Sequence, residues 1–223
     1  MGATTPTLPG EYPSDSAPLL LLHFDEGAGP ILADASRFSS NGTATGTSIV
    51  TGRFGNGRSF NGTSDFIEGY PGNMNFAGQD YTIEAWINTS STATQAIFTT
   101  HNPPTNAFSN TGLYIVAGSG ILDFDINNGQ GTSASSANGR KLTDGLWHHV
   151  ASVRKGSTVN LYVDGKFDSQ KSVTQEPVAS SLYMVGKSYA GNFSAGTIEE
   201  VRVSSIARQP GEFKMQLPPT SLS

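Results

Sequence analysis

Polar and apolar residues alternate in one short segment of this chain after another, and this alternation restricts the possible folds more than any other feature. In the segment YTIEAWIN (81–88), the odd-numbered residues are all apolar, and they share one face of an extended chain. No segment keeps an apolar period of 3.6 residues for more than two helical turns. The sequence therefore predicts an all-β protein.

Tight turns separate the alternating segments. The 223 residues include 26 glycines, a composition that suits many short strands joined by turns. About a dozen strands are expected, which favours a two-sheet antiparallel sandwich of the jelly-roll type. The clearest predicted strands are 19–24, 58–62, 65–70, 81–88, 112–118, 121–127, 146–154, 158–165, 181–188 and 197–204.

The two ends of the chain differ in composition from the part between them. Residues 1–18 form a Pro/Ser/Thr-rich extended arm, residues 19–208 form the jelly-roll domain, and residues 209–223 form a C-terminal tail. One helical turn is predicted within 205–213. We expect the two arms to contact other protein chains of a larger assembly.

Charge and composition exclude several classes of protein. The net charge is −5 and no short window gathers four basic residues, so neither nucleic acid nor an anionic membrane surface is an expected partner. The chain has no cysteine, which excludes disulfides and thiolate metal sites. The N-terminal segment has no signal-peptide pattern, and its apolar run 19–22 is too short to span a membrane.

The pair His148-His149 invites a catalytic or metal-binding interpretation. Neighbouring side chains of a strand point to opposite faces, so the two imidazoles cannot bind one ion from the same strand. We interpret both as structural histidines, with His149 on a core face beside Ala151 and Val153. The nearby Asp164-Gly165 pair is typical of a type I′ hairpin turn.

Four blocks of this sequence, in order, resemble the laminin G-like module of the concanavalin A-like lectin/glucanase superfamily. The opening block is HFDEGAGPILADASRFSSNGTATG (23–46), followed by RFGNGRSFNGTSDFIEG (53–69) and YTIEAWIN (81–88). The fourth block is DGLWHHVASVRKGSTVNLYVDGK (144–166), together with the closing segment 184–209. The resemblance implies a jelly-roll sandwich, and it leaves the activity open because the fold serves many functions.

The resemblance also implies that the first and last strands are neighbours, which would bring Asp25 close to Glu199. Related jelly-roll domains bind a structural Ca²⁺ with such acids, and Asp34 and Asn41 could add further oxygen ligands. The alternative is an acid that is hydrogen-bonded by Arg202, Arg208 or a backbone N–H group.

Glycan binding requires exposed aromatic rings beside polar groups, and loops on a rigid scaffold are the usual place for them. The loops 100–112 and 188–196 are the candidate binding edges. The predicted ligand-binding residues are Asn106 and Phe108 in the first loop, and Tyr189 and Phe193 in the second. The other aromatic candidates are Trp86, Tyr114, Tyr162 and Tyr183, and for the tryptophan burial in the core is the default expectation.

A glycoside hydrolase needs two carboxyl groups around the scissile bond. The nearest candidates are Asp123 and Asp125 in LDFDIN, which share one face of a strand, but the Glu-x-Asp-x-x-Glu pattern of the superfamily's hydrolases is absent.

We therefore expect a non-enzymatic surface module that docks through its arms onto an assembly such as a phage virion, as a capsid decoration or tail-fibre protein. The alternatives are a carbohydrate-binding or adhesion module of a secreted bacterial protein and, third, a glycoside hydrolase. The expected location is a virion surface, or the extracellular space or cell surface.

Overall fold

The computed structural model describes residues 17–72, 74–102, 111–126, 133–135, 140–173, 177 and 179–213. Sixteen strands lie in this part of the chain. They are β1 (Pro18–Leu22), β2 (Ile31–Leu32), β3 (Gly42–Thr45), β4 (Ser48–Thr51), β5 (Asn56–Asn61), β6 (Phe66–Gly69), β7 (Tyr81–Asn88), β8 (Gln95–His101), β9 (Thr111–Ile115), β10 (Leu122–Ile126), β11 (Ser133–Ser135), β12 (Trp147–Lys155), β13 (Thr158–Val163), β14 (Lys166–Ser172), β15 (Leu182–Val185) and β16 (Ala195–Ser204). A single 3₁₀ turn, Pro210–Glu212, follows β16.

The strands form two antiparallel sheets that pack face to face. Sheet I has the order β14-β13-β12-β7-β16-β5-β4, with β1 paired to β16, and sheet II has the order β11-β10-β9-β8-β15-β6-β3-β2. This arrangement confirms the predicted all-β jelly-roll sandwich. Among the described residues, no helix is long and apolar enough to cross a membrane.

The core lies between the two sheets. The apolar face of β7 contributes Tyr81, Ile83, Ala85 and Ile87, as the alternation predicts, and these side chains face the inward residues of sheet II. Burial of such aliphatic and aromatic side chains is the main favourable term in the folding of a domain of this size. The strongly apolar strand β1 is buried along its whole length.

The hairpin turns follow the predicted chemistry. Asp164 (φ 49°) and Gly165 (φ 68°) both have positive φ between β13 and β14, as a type I′ turn requires. Gly118 and Gly120 also have positive φ in the connection between β9 and β10. Glycine adopts this conformation at little cost, so these positions set where the chain reverses.

The outer face of sheet I is covered by the chain segment that follows β16. We call residues 205–213 the C-terminal strap. The N–H of Arg208 donates to the Thr82 hydroxyl (2.9 Å), which donates to the carbonyl of Ile206 (2.8 Å). At the end of the strap, Phe213 packs against Ala151 and Val153. The central strands β7, β12 and β16 of sheet I are therefore buried on both faces, and Phe213 of the predicted tail 209–223 packs onto the domain.

This second buried layer changes the interpretation of His149. The sequence placed His149, Ala151 and Val153 on a core face. These residues are indeed buried, but they lie under the strap, whereas Val150 on the other face of β12 faces the core between the sheets. Alternation alone cannot tell which of two buried faces meets the second sheet.

A buried ionic cluster lies under the same strap. Glu84 of β7 has no exposed surface, and it accepts hydrogen bonds from Nε of Arg202 (2.7 Å) and from Nε2 of His149 (3.0 Å). Burial by itself would raise the pKa of Glu84, but His149 and Arg202 together hold it below its usual range. Arg202 also donates to the carbonyl of Glu212 (3.0 Å), which ties the strap to the cluster.

Phe213→Ala tests whether the strap belongs to the folded domain. Truncation of this buried ring removes apolar contacts and leaves a cavity, so we expect the free energy of unfolding to fall by about 3 kcal/mol. Urea denaturation followed by tryptophan fluorescence measures the change. Tyr70→Ala is the matched control, because this ring is 68% exposed and its loss should change stability by no more than about 0.5 kcal/mol. A loss below about 1 kcal/mol in Phe213→Ala would contradict the packing of the strap.

Candidate functional site

The outer face of sheet II carries a groove with a volume of about 140 Å³. Strands β9 and β10 form its floor, because Leu122, Phe124 and Ile126 point into the core and the residues between them point outward. The described residues that line the groove are Thr94, Tyr114, Ile115, Val116, Asp123, Asp125 and Asn192.

Two carboxyl groups face the groove from β10. Asp123 lies opposite Tyr114 in the antiparallel pair, and Asp125 lies opposite Gly112. This confirms that the two acids share a face, as the sequence predicted. Burial raises the pKa of Asp125 to about 7, and the nearby charge of Asp123 adds to the rise. The Oδ1 atom of Asp125 is buried and accepts no hydrogen bond from any residue that the structure describes.

Tyr114 lies against the backbone beside this acid pair. Gly112 is the register partner of Asp125. A β-carbon at this position would overlap the Tyr114 ring, so only glycine leaves room for the ring. The tyrosine is 6% exposed and is part of the structural support of the groove. Tyr114 was one of the aromatic candidates for glycan binding, whereas Gly112 was not predicted to be part of the site. The symmetry of the β9–β10 hairpin about its glycine turn was the signal that could have paired them with the two acids.

One wall of the groove comes from the predicted binding loop after β15. The Thr99 hydroxyl donates to the carbonyl of Lys187 (2.8 Å), and the Ser194 hydroxyl donates to the carbonyl of Ala96 (2.8 Å), so the loop is fixed against β8. Asn192 in this loop lines the groove. Asn192 was not predicted as a ligand-binding residue, because a single asparagine in a polar loop carries no periodic signal.

The predicted ligand-binding residues divide into two groups. Tyr189 is 47% exposed, and its ring centroid lies 5.7 Å from that of His101. Phe193 is half-buried, with the Lys187 ammonium 5.5 Å from its ring centroid. Both residues lie in the loop that forms the groove wall. Asn106 and Phe108 lie outside the described residues.

The other large aromatic rings have structural positions. Trp86 lies on the outer face of sheet I, 3% exposed, with its ring centroid 5.4 Å from that of Phe54 and the Arg53 guanidinium carbon 4.3 Å away. Tyr183 is buried in the core, and its hydroxyl donates to the carbonyl of Ser40 (2.9 Å). Trp86 is therefore buried, as expected for tryptophan by default. Tyr183, the other aromatic candidate in this group, is buried as well.

A larger groove, with a volume of about 270 Å³, lies beside Leu19 and Ser205 near the start of the described chain. Its lining includes a single acid, Asp80, and the Oδ1 atom of Asp80 already accepts the N–H of Gly156 (2.8 Å). This groove therefore lacks a pair of carboxyl groups like the one that faces the groove on sheet II.

The predicted neighbours Asp25 and Glu199 do come together. Strand β1 pairs with β16, and the N–H groups of Arg53 and Phe54 donate to the two oxygens of Glu199. Burial raises the pKa of Glu199 to about 7; the two N–H groups oppose the rise, and the charges of Glu200 and Asp25 add to it. Of the alternatives that the sequence left open for Glu199, a hydrogen bond from a backbone N–H is therefore the one that the structure shows.

The other two predicted metal ligands form a separate pair. The Asp34 carboxylate accepts the N–H groups of Leu21 (2.9 Å) and Ser40 (2.8 Å), while its own N–H donates to the Asn41 side chain (3.0 Å). Within the described ranges, no group of three or more His, Asp or Glu side chains is arranged to hold a metal ion. These contacts organise the loop between β1 and β3.

Calcium binding stays a prediction that a melting experiment can test. Protein treated with EDTA is compared with the same protein in millimolar Ca²⁺. Because a ligand that binds only the folded state raises Tm, a site at Asp25, Asp34, Asn41 and Glu199 would give a calcium-dependent rise in Tm that Glu199→Gln abolishes. Equal Tm values in the two conditions would contradict the site.

His148 has a structural setting, as predicted. Its Nδ1 lies 3.1 Å from Oδ2 of Asp164, and its Nε2 lies 3.1 Å from Oδ1 of Asp144. The hydrogen bond with Asp164 raises the pKa of His148 despite its partial burial. The imidazole thus connects the β13–β14 turn to the loop before β12. His148 belongs to sheet I, whereas the groove lies on sheet II.

The pH dependence of stability tests the environment of Asp125. Its pKa in the folded protein lies above the value of the unfolded chain, so its stabilising contribution is complete below about pH 3.8 and is lost as the pH rises through about 7. Compared with Asp125→Asn, the wild-type protein should gain up to about 4 kcal/mol between pH 7.5 and pH 4. Urea denaturation across this range gives the difference, and a constant difference would show that Asp125 is solvated.

Comparisons with known proteins agree with this fold. Domain 4 of AbnA, a GH43 extracellular arabinanase from Geobacillus stearothermophilus, in complex with arabinotriose, is 19% identical with a TM-score of 0.71, covering 91% of this chain and 100% of that one. The binding domain of botulinum neurotoxin serotype D is 15% identical with a TM-score of 0.70, covering 88% of this chain and 50% of that one. A sialidase from Trypanosoma rangeli is 14% identical with a TM-score of 0.64, covering 88% of this chain and 32% of that one.

These identities show a shared fold alone, and this chain spans only half or less of the toxin domain and the sialidase. No curated protein matches the sequence. The Laminin_G_3 family model matches residues 61–213, which is more than half of the chain. The chain therefore belongs to the concanavalin A-like lectin/glucanases superfamily.

Proposed function

We propose that this chain is a non-enzymatic carbohydrate-binding module whose ligand occupies the groove on the outer face of sheet II. The observation that carries the proposal is the groove itself, where Asp123 and Asp125 face outward and an oxygen of Asp125 has no donor among the described residues. Such a concave site with a few convergent polar groups is the usual form of a small-ligand site.

The surroundings of the groove support a sugar as the ligand. Hydroxyl groups of a saccharide can donate to carboxylates and accept from the Asn192 amide. Tyr189, exposed in the same loop as Asn192, offers an aromatic face for a longer chain of sugar units. The arabinanase domain, which shares the fold along its whole length, was solved with arabinotriose.

A glycan array followed by titration calorimetry tests this function. We expect binding of at least one oligosaccharide, with arabinotriose as the first probe. The double variant Asp123→Asn/Asp125→Asn should weaken binding about 10- to 100-fold, because it removes charge-assisted hydrogen bonds. Asp144→Asn, an acid-to-amide change outside the groove, is the matched control and should leave the affinity unchanged.

Tyr189→Ala asks whether the ligand extends from the groove along the loop. Loss of one stacked ring should weaken the binding of a long oligosaccharide about 2- to 10-fold and leave a disaccharide unaffected. The absence of any glycan bound by the intact chain would overturn the proposed function.

The alternative of hydrolysis rests on the same two acids. Two carboxyl groups on one face can in principle serve as acid and nucleophile. We expect binding without turnover, because no third acid follows Asp125 in the pattern of the superfamily's hydrolases. Release of reducing ends from the bound oligosaccharide, lost in Asp125→Asn, would establish a hydrolase instead.

We also propose that the same module docks through its arms onto a larger assembly, such as a phage virion. Residues 1–16 and 214–223 lie outside the described residues. Its support is that both described ends belong to sheet I, while the groove lies on sheet II. The N–H of Ser205 donates to the carbonyl of Ala17 (2.9 Å), and Phe213 packs against Ala151 and Val153. A native mass measurement that gives a monomer with protease-labile ends would contradict docking through the arms.

A further inference from the structure

The buried oxygen of Asp125 restricts what the groove can hold. A buried acceptor without a donor is unfavourable, and a ligand that supplies a hydrogen-bond donor at this point removes the penalty. Water can supply it in the free protein, so the ligand has to present a donor of its own in place of the displaced water. A hydroxyl or an amine meets this requirement, whereas a deprotonated carboxylate or a sulfate does not.

The charges of the groove act in the same direction. Its described lining contains two acids and neither lysine nor arginine. An anionic group placed beside Asp123 would be repelled by a like charge in a partly buried setting, where Coulomb interactions are stronger than in bulk water. The nearest described cation of the loop, Lys187, lies with its ammonium 4.1 Å from the Phe66 ring centroid and is not part of the lining.

The protonation of Asp125 favours hydroxyl groups in particular. Because its pKa is raised to about 7, the carboxyl group is present in both protonation states near neutral pH. The deprotonated form needs a donor and the protonated form can use an acceptor. A hydroxyl group is both, so a sugar hydroxyl satisfies Asp125 in either state.

The position of Asp125 in the groove is well determined. The Tyr114 ring lies over Gly112, which is the register partner of Asp125. A larger residue at position 112 would leave no room for this ring. The carboxyl group is therefore held between packed β-strands and not on a freely rotating loop. Such a preorganised polar group discriminates between ligands, because it cannot turn away from an unsuitable one.

We propose that the Asp123–Asp125 groove selects saccharides that present hydroxyl groups and carry no acidic group, and that it rejects uronate-, sialate- and sulfate-bearing glycans. This inference rests on the proposed function, since it names the class of sugar that the same groove takes. It assigns the selectivity to the two carboxyl groups of β10.

An array that holds neutral and acidic trisaccharides side by side tests the selectivity. Galactotriose and trigalacturonate form a matched pair, because they differ only in the group at C6, and arabinotriose and cellotriose extend the neutral set. We expect the neutral members to bind at least about tenfold more tightly than the acidic ones. The ratio should fall about tenfold in Asp123→Asn/Asp125→Asn, because the amides remove the repulsion.

The possible outcomes separate the two proposals. Equal or tighter binding of trigalacturonate or of a sulfated glycan would overturn the selectivity and leave the binding function intact. No binding to any glycan would overturn both. A double variant that loses neutral binding without any change in the neutral-to-acidic ratio would show that the acids only support the groove. A Tm close to that of the wild-type protein confirms that the variant is folded.

Discussion

The fully buried carboxylate of Glu84 is the interaction on which the organisation of sheet I depends. A buried charge is tolerated only with partners, and here Arg202 from β16 and His149 from β12 supply them on the two sides of β7. The cluster joins three neighbouring strands through side chains as well as through backbone hydrogen bonds. Arg202 extends the connection to the strap, which shields the cluster from water.

The strap makes the outer faces of the two sheets different. The outer face of sheet I holds Trp86 and His149, and Phe213 of the strap packs over this face, which leaves little surface there for a ligand. Sheet II keeps a groove on its outer face, with two acids and a loop as its wall. Strand β1 pairs with β16 in sheet I and Phe213 of the strap packs on the outer face of sheet I, whereas the groove lies on sheet II.

Local rules predicted much of the fold because they depend on neighbours in the chain. The alternation of 81–88 gave the bounds of β7, and the Asp164-Gly165 pair gave the turn. Strands β2, β3, β4, β8 and β11 were not predicted. Strand β8 is buried at every residue, and β4 is only partly apolar, so neither alternates clearly. The candidate site was predicted in pieces: the exposed loop of Tyr189, and the shared face of Asp123 and Asp125.

By itself, the sequence determined the all-β class, the positions of most turns, the core face of β7 and the absence of chemistry that needs cysteine. These properties follow from the period of a strand and from the conformational preferences of single residues. Only the tertiary structure decided that both faces of the central strands of sheet I are buried, that Glu199 accepts hydrogen bonds from backbone N–H groups, and that Asn192 and Asp125 line one groove. Each of these facts depends on residues that are distant in the chain, and their proximity is set by strand pairing and by packing, which no local pattern records.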